Sequence, residues 1–338
     1  MIAPNPFAAI PPPRPTCRAT VVIPAHDEAG HIARTLEALG AQRRRDGSPY
    51  PPDAFDVIVY ANNCVDATAA IARATAASFP AHAIHVAEEW LPLNVAHVGT
   101  ARRTAMNFAA TRFAAAGIAD AVLAATDADT TPSPTWLEWT MHEMQRADAV
   151  MGRILVDPHE YAALPPSTRR RLEEENAYHF AVAQLESLAG APAHDPWPRH
   201  WQRSGPSFAV RAEIYDAAGG VPPVRVLEDI AFYDALVAIG ARIRHSLRVR
   251  VHTSARVHSR ADGGFGTRLA EWNRLGDPAA APLLVEHPQT TIARICGERA
   301  DARLPLVPAA EATAALRDYI ACGSVARATR NTVASIAG

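Results

Sequence analysis

Along residues 18–154, short β-branched apolar runs alternate with Ala-rich stretches of helical length. Strands are predicted over residues 19–23, 55–60, 83–86, 121–125 and 147–155, and helices over 28–39, 66–78, 98–116 and 134–146. Strands that read as unbroken apolar runs are those buried on both faces, so the pattern predicts an α/β class with a mainly parallel sheet wrapped by helices. The short connections suit adjacent right-handed crossovers. Residues 41–53, with Arg43-Arg44-Arg45 and three prolines, read as a surface loop whose charges are solvated.

Beyond Asp157 the alternation stops. Residues 167–188 read as a long amphipathic helix capped by Ser167, and residues 194–201 as an irregular loop rich in Pro and Trp, shaped for a binding site or sealing the edge of the core. Residues 228–239 return to helix, and 242–254 hold two short strands. From Thr267 onward the chain is helical, and residues 309–337 are expected to form two helices whose exposure leaves a homodimer open.

Composition narrows the classes. At 338 residues and 49% hydrophobic, the chain can build one large α/β domain with an appendage or two ordinary domains. A formal charge of −2 offers no basic field and argues against nucleic acid as a partner. All 33 basic residues are Arg, which excludes Schiff-base and P-loop lysine chemistry and leaves phosphate clamping to guanidinium forks. Cys17, Cys64, Cys296 and Cys322 form no C-x-x-C pair, so neither a zinc knuckle nor a disulfide framework is suggested, and a reduced cytoplasmic setting is expected. The Pro-rich start lacks the order of a signal peptide, and no apolar run approaches the ~18 residues of a transmembrane segment. A soluble protein is expected.

The most telling chemistry is at Ala124-Ala125-Thr126-Asp127-Ala128-Asp129, where an apolar strand ends in two carboxylates spaced i, i+2. On extended chain both point to one side. An oxygen-only donor pair suits Mg2+ or Mn2+ carrying a diphosphate; the plainer reading is two turn residues before Pro132 and Pro134. Further polar groups gather at strand ends, where open α/β sheets bind ligands. They are Pro24-Ala25-His26-Asp27-Glu28, then Asn62-Asn63-Cys64-Val65-Asp66, the last either a ligand or a helix cap. Gly99-Thr100-Ala101-Arg102-Arg103 opens a helix on which only one arginine can face the ligand, and Leu227-Glu228-Asp229 opens another after Gly219-Gly220-Val221-Pro222. His252, Arg256, His258 and Arg260 crowd a late basic stretch; an imidazole there could complete a metal shell and the arginines could neutralise an anion.

Taken in this order, the segments resemble the family 2 glycosyltransferases of the GT-A fold over residues 18–260. The resemblance implies a nucleotide-sugar-binding half at 18–155, an acceptor half at 156–266, a helical extension at 267–338 and a flexible leader at 1–17. It implies that Asp127 and Asp129 bind Mg2+ or Mn2+ and the donor diphosphate, with Pro24, His26, Glu28, Asn62, Asp66, Arg102 and Ala128 near the UDP- or GDP-linked sugar. Asp229 would be the general base, with Glu228 orienting its neighbours. A late similarity to soluble bacterial members resembling glucosyl-phosphoglycerate synthases favours His258 over His252 as the third metal ligand. The departure is Asn62-Asn63, where many members carry an Asp pair that reads uracil. Expected is hexosyl transfer to a hydroxyl of a small, candidate anionic acceptor, with inversion as the default and retention if the phosphoglycerate-type similarity is the closer. A sugar nucleotidyltransferase and a silent nucleotide-sugar-binding protein are the rivals.

Overall fold

The computed structural model describes residues 5–257, 263–297 and 304–322. An eight-stranded sheet runs in the order β3-β2-β1-β4-β7-β6-β8-β5. Its strands are β1 Ala19–Ala25, β2 Phe55–Asn62, β3 Ala83–Glu89, β4 Val122–Ala125, β5 Thr130–Pro132, β6 Ala149–Val156, β7 Phe208–Arg211 and β8 Ile243–Thr253. Strands β1 to β4 pair in parallel, as do β6 and β8, while β7 lies antiparallel between β4 and β6. The helices are α1 Ile32–Gly40, α2 Thr68–Ala77, α3 Val98–Ala115, α4 Trp136–Glu143, α5 Pro158–Ala163, α6 Pro166–Gly190, α7 Ala212–Ala217, α8 Glu228–Ala238, α9 Phe265–Leu275, α10 Pro288–Cys296 and α11 Ala309–Ala321.

The unbroken apolar strands are explained by a core on each side of the sheet. Val21 and Ile23 of β1 pack with Ile32 and Leu36 of α1 and with Trp136 of α4, whereas Val22, between them, faces Ala101, Ala105 and Met106 of α3. The small side chains of α3 let it lie close on the strands, which carries its first turn to the sheet's carboxyl edge. A separate core joins α6 to α10 and α11 through Tyr178, Leu185, Cys296 and Leu316, and another joins α6 to α9 through Leu172, Leu269 and Trp272. The apolar face of α11 is thus spent on α6, and the second expected C-terminal helix lies outside the described residues.

The α/β class and the mainly parallel sheet expected from the pattern are present. Several details differ. Residues 28–31 form a turn, bonded from His31 N and Ile32 N to Glu28 O, and α1 starts only at Ile32 because Asp27 sits at φ 53°. The turn after Asp127, closed by Thr130 N on Asp127 O, leads into β5, an edge strand where Pro132 removes no needed donor. The two strands expected over 242–254 are one strand with a bulge: the β6–β8 register passes from Gly152↔Ser246 to Arg153↔Arg250. Ser167 does not cap α6; the helix opens at Pro166, after Pro165, with no side-chain cap. β7 went unpredicted because four residues after a Pro-rich loop carry too short a pattern. The described part of the leader packs on the sheet, with Phe7 stacked 4.2 Å from Phe108 and 5.5 Å from Tyr60 between ring centroids. Its prolines masked that one aromatic anchor.

Candidate active site

Five strand ends and helix starts converge at the carboxyl edge of the sheet. Arg102, on the first turn of α3, is almost fully buried, and its guanidinium reaches Asp127 Oδ1 at 2.8 Å and Glu228 Oε1 at 3.2 Å. Burial alone would weaken its hold on the proton, but Asp127 and Glu228 keep it firmly charged. Arg103 turns away to the carbonyls of Gly219 and Val221, as helical geometry requires of one of the pair. Room for this crossing depends on Gly99: a Cβ there would lie 2.1 Å from Val224 O.

A second guanidinium closes the other side. Arg256 bonds Glu28 Oε2 at 2.6 Å and Asp129 Oδ2 at 3.0 Å. Glu28 is buried and also lies 3.3 Å from His31 Nδ1. Burial pushes the Asp129 carboxyl up to about 7, Asp127 beside it and Glu28 add to the rise, and Arg256 only partly opposes it. Burial likewise raises Glu228, Asp229 and Asp127 adding to the effect and Arg102 resisting.

Asp229 follows Glu228 at the start of α8, entered through Leu227 at φ 57°. Its Oδ2 accepts from Gly205 N at 2.6 Å and its Oδ1 from its neighbour Ile230 N at 2.8 Å. Gly205 was absent from the sequence reading, yet it fits where no side chain would: a Cβ would stand 2.7 Å from Arg102 Nη2 and 3.4 Å from Asp229 Oδ2. A glycine between Ser204 and Pro206 gives no periodic signal, so only the folded contact reveals it.

The remaining predicted residues are spread along the same edge. Pro24 ends the buried run of β1, and His26 Nδ1 lies 2.9 Å from Asn62 O with its ring half exposed. Asn62 is buried next to Asn63, whose side chain clasps Leu91 through both its N–H and its C=O. Asp66 accepts from Thr68 N at 2.9 Å and Ala29 N at 3.0 Å, so it ties the first two βα turns together. Ala128 is buried, and its carbonyl accepts from Thr35 Oγ1 at 2.8 Å. The structure therefore joins Arg102, Asp127, Glu228 and Asp229 in one linked group, and Glu28 and Asp129 in another. His258 and Arg260 lie outside the described residues. His252 lines the same narrow crevice as Asp129, together with His31, Arg34 and Asp157.

Among the described residues, Asp27, Cys64 and Asp66 are the group of three metal-type donors with atoms within 4.8 Å of one another. Their carboxylates already take backbone N–H bonds from Val65, Ala29 and Thr68. The Asp127–Asp129 pair fits a divalent cation better on chemistry: oxygen donors only, with an excess of negative charge. Among the described residues, no helix is long and apolar enough to cross a membrane.

The profile described as glycosyl transferase family 2 matches residues 20–194. No curated protein matches at a significant level. Similar solved structures include TarS 1-349 of S. aureus in complex with UDP, at 15% identity over 82% of this chain and 80% of that one, with a TM-score of 0.48. Another is the mannosyltransferase PcManGT of Pyrobaculum calidifontis in complex with GDP-Man and Mn2+, at 18% identity over 95% and 88%, TM-score 0.47. A third is glucosyl-3-phosphoglycerate synthase of Mycobacterium tuberculosis with Mn2+, UDP and glucosyl-3-phosphoglycerate, at 15% identity over 84% and 82%, TM-score 0.40. With more than half of its length matched, and with the strand-end carboxylates and the arginine on α3 gathered at one edge of its sheet, the chain belongs to glycosyl transferase family 2 and is a glycosyltransferase of the GT-A fold.

Proposed function

We propose that the enzyme moves a hexosyl group from a UDP- or GDP-linked sugar to a hydroxyl of a small acceptor, in a metal-dependent reaction that inverts the anomeric centre. The observation that carries this reading is electrostatic. Around one edge, the carboxylates of Glu28, Asp127, Asp129 and Glu228 share the guanidiniums of Arg102 and Arg256, Asp229 is held by the Gly205 N–H, and Asp129 is left with a carboxyl at about 7. Such a deficit of positive charge suits Mg2+ or Mn2+.

Asp127 and Asp129 are the residues that would hold the ion, with His258 or His252 as the candidate third ligand. Bound there, it would supply Lewis-acid stabilisation of the departing diphosphate. Arg102 holds Asp127 in register and brings a second positive charge to the same edge. Asp229, oriented by the Gly205 N–H, accepts the acceptor's hydroxyl proton while the anomeric carbon is attacked from the opposite face. Glu228, tied to Arg102, fixes the start of α8 and so the aim of Asp229. His26, Asn62 and Asp66 mark the nucleoside end of the cleft.

A thermal-shift screen of UDP, GDP and ADP with manganese tests the donor and metal assignments together. The native protein is expected to gain stability with a pyrimidine or guanine diphosphate plus Mn2+, and Asp129→Ala to lose that gain. Equal stabilisation of the two proteins would overturn the metal assignment.

A further inference from the structure

Arg153, in the middle of β6, has a role that the site described so far does not use. It is 8% exposed, and its Nη1 is buried with no hydrogen-bond partner. Nη2 donates to Asn176 Oδ1 at 3.1 Å. Its guanidinium carbon lies 4.6 Å from the Trp201 ring centroid and 5.1 Å from that of Phe180. Among the described residues no carboxylate is within ion-pair distance. Burial accordingly pulls its pKa down to about 10, with no anion acting against the shift.

The terminal nitrogens of the other deeply buried arginines find partners, although Nε of Arg171 is unpaired. Arg102 meets Asp127 and Glu228, Arg112 meets Asp56, and Arg171 donates to the carbonyls of Gly276 and Ala281. Aromatic faces only partly offset the desolvation of a cation, and a buried donor left unpaired is costly. Each such group calls for an explanation, and a ligand that supplies the missing partner is one.

The location ties this cation to the reaction. Ile154, next in β6, donates its N–H to Gln202 Oε1 at 2.8 Å and accepts from Gln202 Nε2 at 3.0 Å. Three residues further along the same loop, Gly205 N holds Asp229. Three residues of extended chain span at most about 10 Å, so the short loop that walls Arg153 with Trp201 is the one that holds Asp229.

We propose that Arg153, walled by Trp201 and Phe180 and steadied by Asn176, is the clamp for an anionic group of the acceptor, a carboxylate or a phosphate carried on a hydroxylated carbon chain. This rests on the glycosyl-transfer reading and adds the acceptor's charge class to it. Trp201 and Phe180 give way by side-chain rotation, the anion takes the free Nη1–H, and the acceptor hydroxyl is left on the Asp229 side. Arg153 is thereby a specificity-determining residue.

The test uses the full chain with D-glycerate, 3-phosphoglycerate, inorganic phosphate and neutral glycerol as probes, by calorimetric titration and by nucleoside diphosphate release from UDP-glucose and GDP-mannose with Mn2+. Expected is binding of at least one anion and not of glycerol, weakened about 30-fold in Arg153→Gln. Transfer to the anionic acceptor should show the same rise in KM with kcat retained, and slow donor hydrolysis without acceptor should be unchanged. Preference between glycerate and 3-phosphoglycerate separates a carboxylate clamp from a phosphate clamp. Arg153→Met, lacking the buried charge, should melt no lower than the native protein; a purely structural cation would melt lower and leave anion binding intact, which overturns the proposal. Asn176→Ala, which frees the guanidinium without removing it, should weaken the anion by a smaller factor and serves if an Arg153 variant fails to fold. If nucleotides bind the native protein and no anion does, the clamp falls and the donor reading stands. If anions bind through Arg153 and no nucleotide does, the donor reading falls and the clamp stands.

Discussion

Two carboxylates, Asp129, which is partly buried, and Asp195, which is buried, experience opposite fields. Asp195 sits where the 194–201 loop meets β8, and its oxygens meet His245 Nδ1 at 2.8 Å, His245 N and Arg244 at 2.9 Å and Arg199 at 3.0 Å. Burial alone would raise it, but the His245 bonds and charge, with Arg199, bring its pKa down to about 2. Asp129 has one guanidinium, shared with Glu28, and two carboxylates for neighbours, and it rises to about 7. Asp195 has more donors than it needs and fixes the loop; Asp129 has fewer, and under the proposed reading a further positive charge would settle there.

The largest test of this contrast is a crossed pair of variants. Asp129→Asn should lower turnover about 1000-fold, read as nucleoside diphosphate release. It should also melt higher than the native protein above pH 7, since the carboxylate it removes is one that the fold disfavours once ionised. The difference should shrink as the pH falls from 7 toward 4, where the carboxyl is protonated in the folded and the unfolded chain alike.

Asp195→Asn should do the reverse: lose about 3 kcal/mol in a denaturant titration while kcat of the folded fraction is kept. Its pH dependence has a definite sign. An ordinary Asp titrates near 3.9 when unfolded and this one at about 2 when folded, so its contribution of roughly 2.5 kcal/mol is complete above about pH 4. That contribution is lost between about pH 4 and pH 2, and the variant should show a flatter curve there. A catalytic defect in Asp195→Asn with stability unchanged would erase the distinction.

Smaller changes sharpen the picture. Gly205→Ala forces a methyl against Arg102 and should cut kcat about tenfold through misplaced Asp229, with a far smaller change in donor binding. Least of all, Arg199→Met should cost about 1 kcal/mol of stability, because His245 and Arg244 remain on Asp195. A cost near that of Asp195→Asn would show that the donors act as a single unit.

Much of this architecture was legible in the chain. The continuous apolar strands and Ala-rich helices sufficed for the sheet's first half, because burial on both faces leaves a pattern that survives without tertiary information. Asp127, Asp129, Glu228 and Arg102 could be singled out because acids and bases at strand ends are rare enough to notice. Gly205 and β7 could not, since a lone glycine and a four-residue strand carry no period. Arg256 was seen as part of a basic stretch, but its partners Glu28 and Asp129 are distant in sequence and only folding reveals the pairing. Phe7 shows the same limit from the other side: proline-rich composition hid a single ring that stacks firmly on Phe108.

Gly205 donates its N–H to Asp229 and lends its carbonyl, at 3.5 Å, to Arg102. A displacement of that loop would therefore release Asp229 and loosen the guanidinium in the same stroke. One glycine thus couples a carboxylate and a guanidinium mechanically through the two peptides that flank it, without any signal having to cross the sheet.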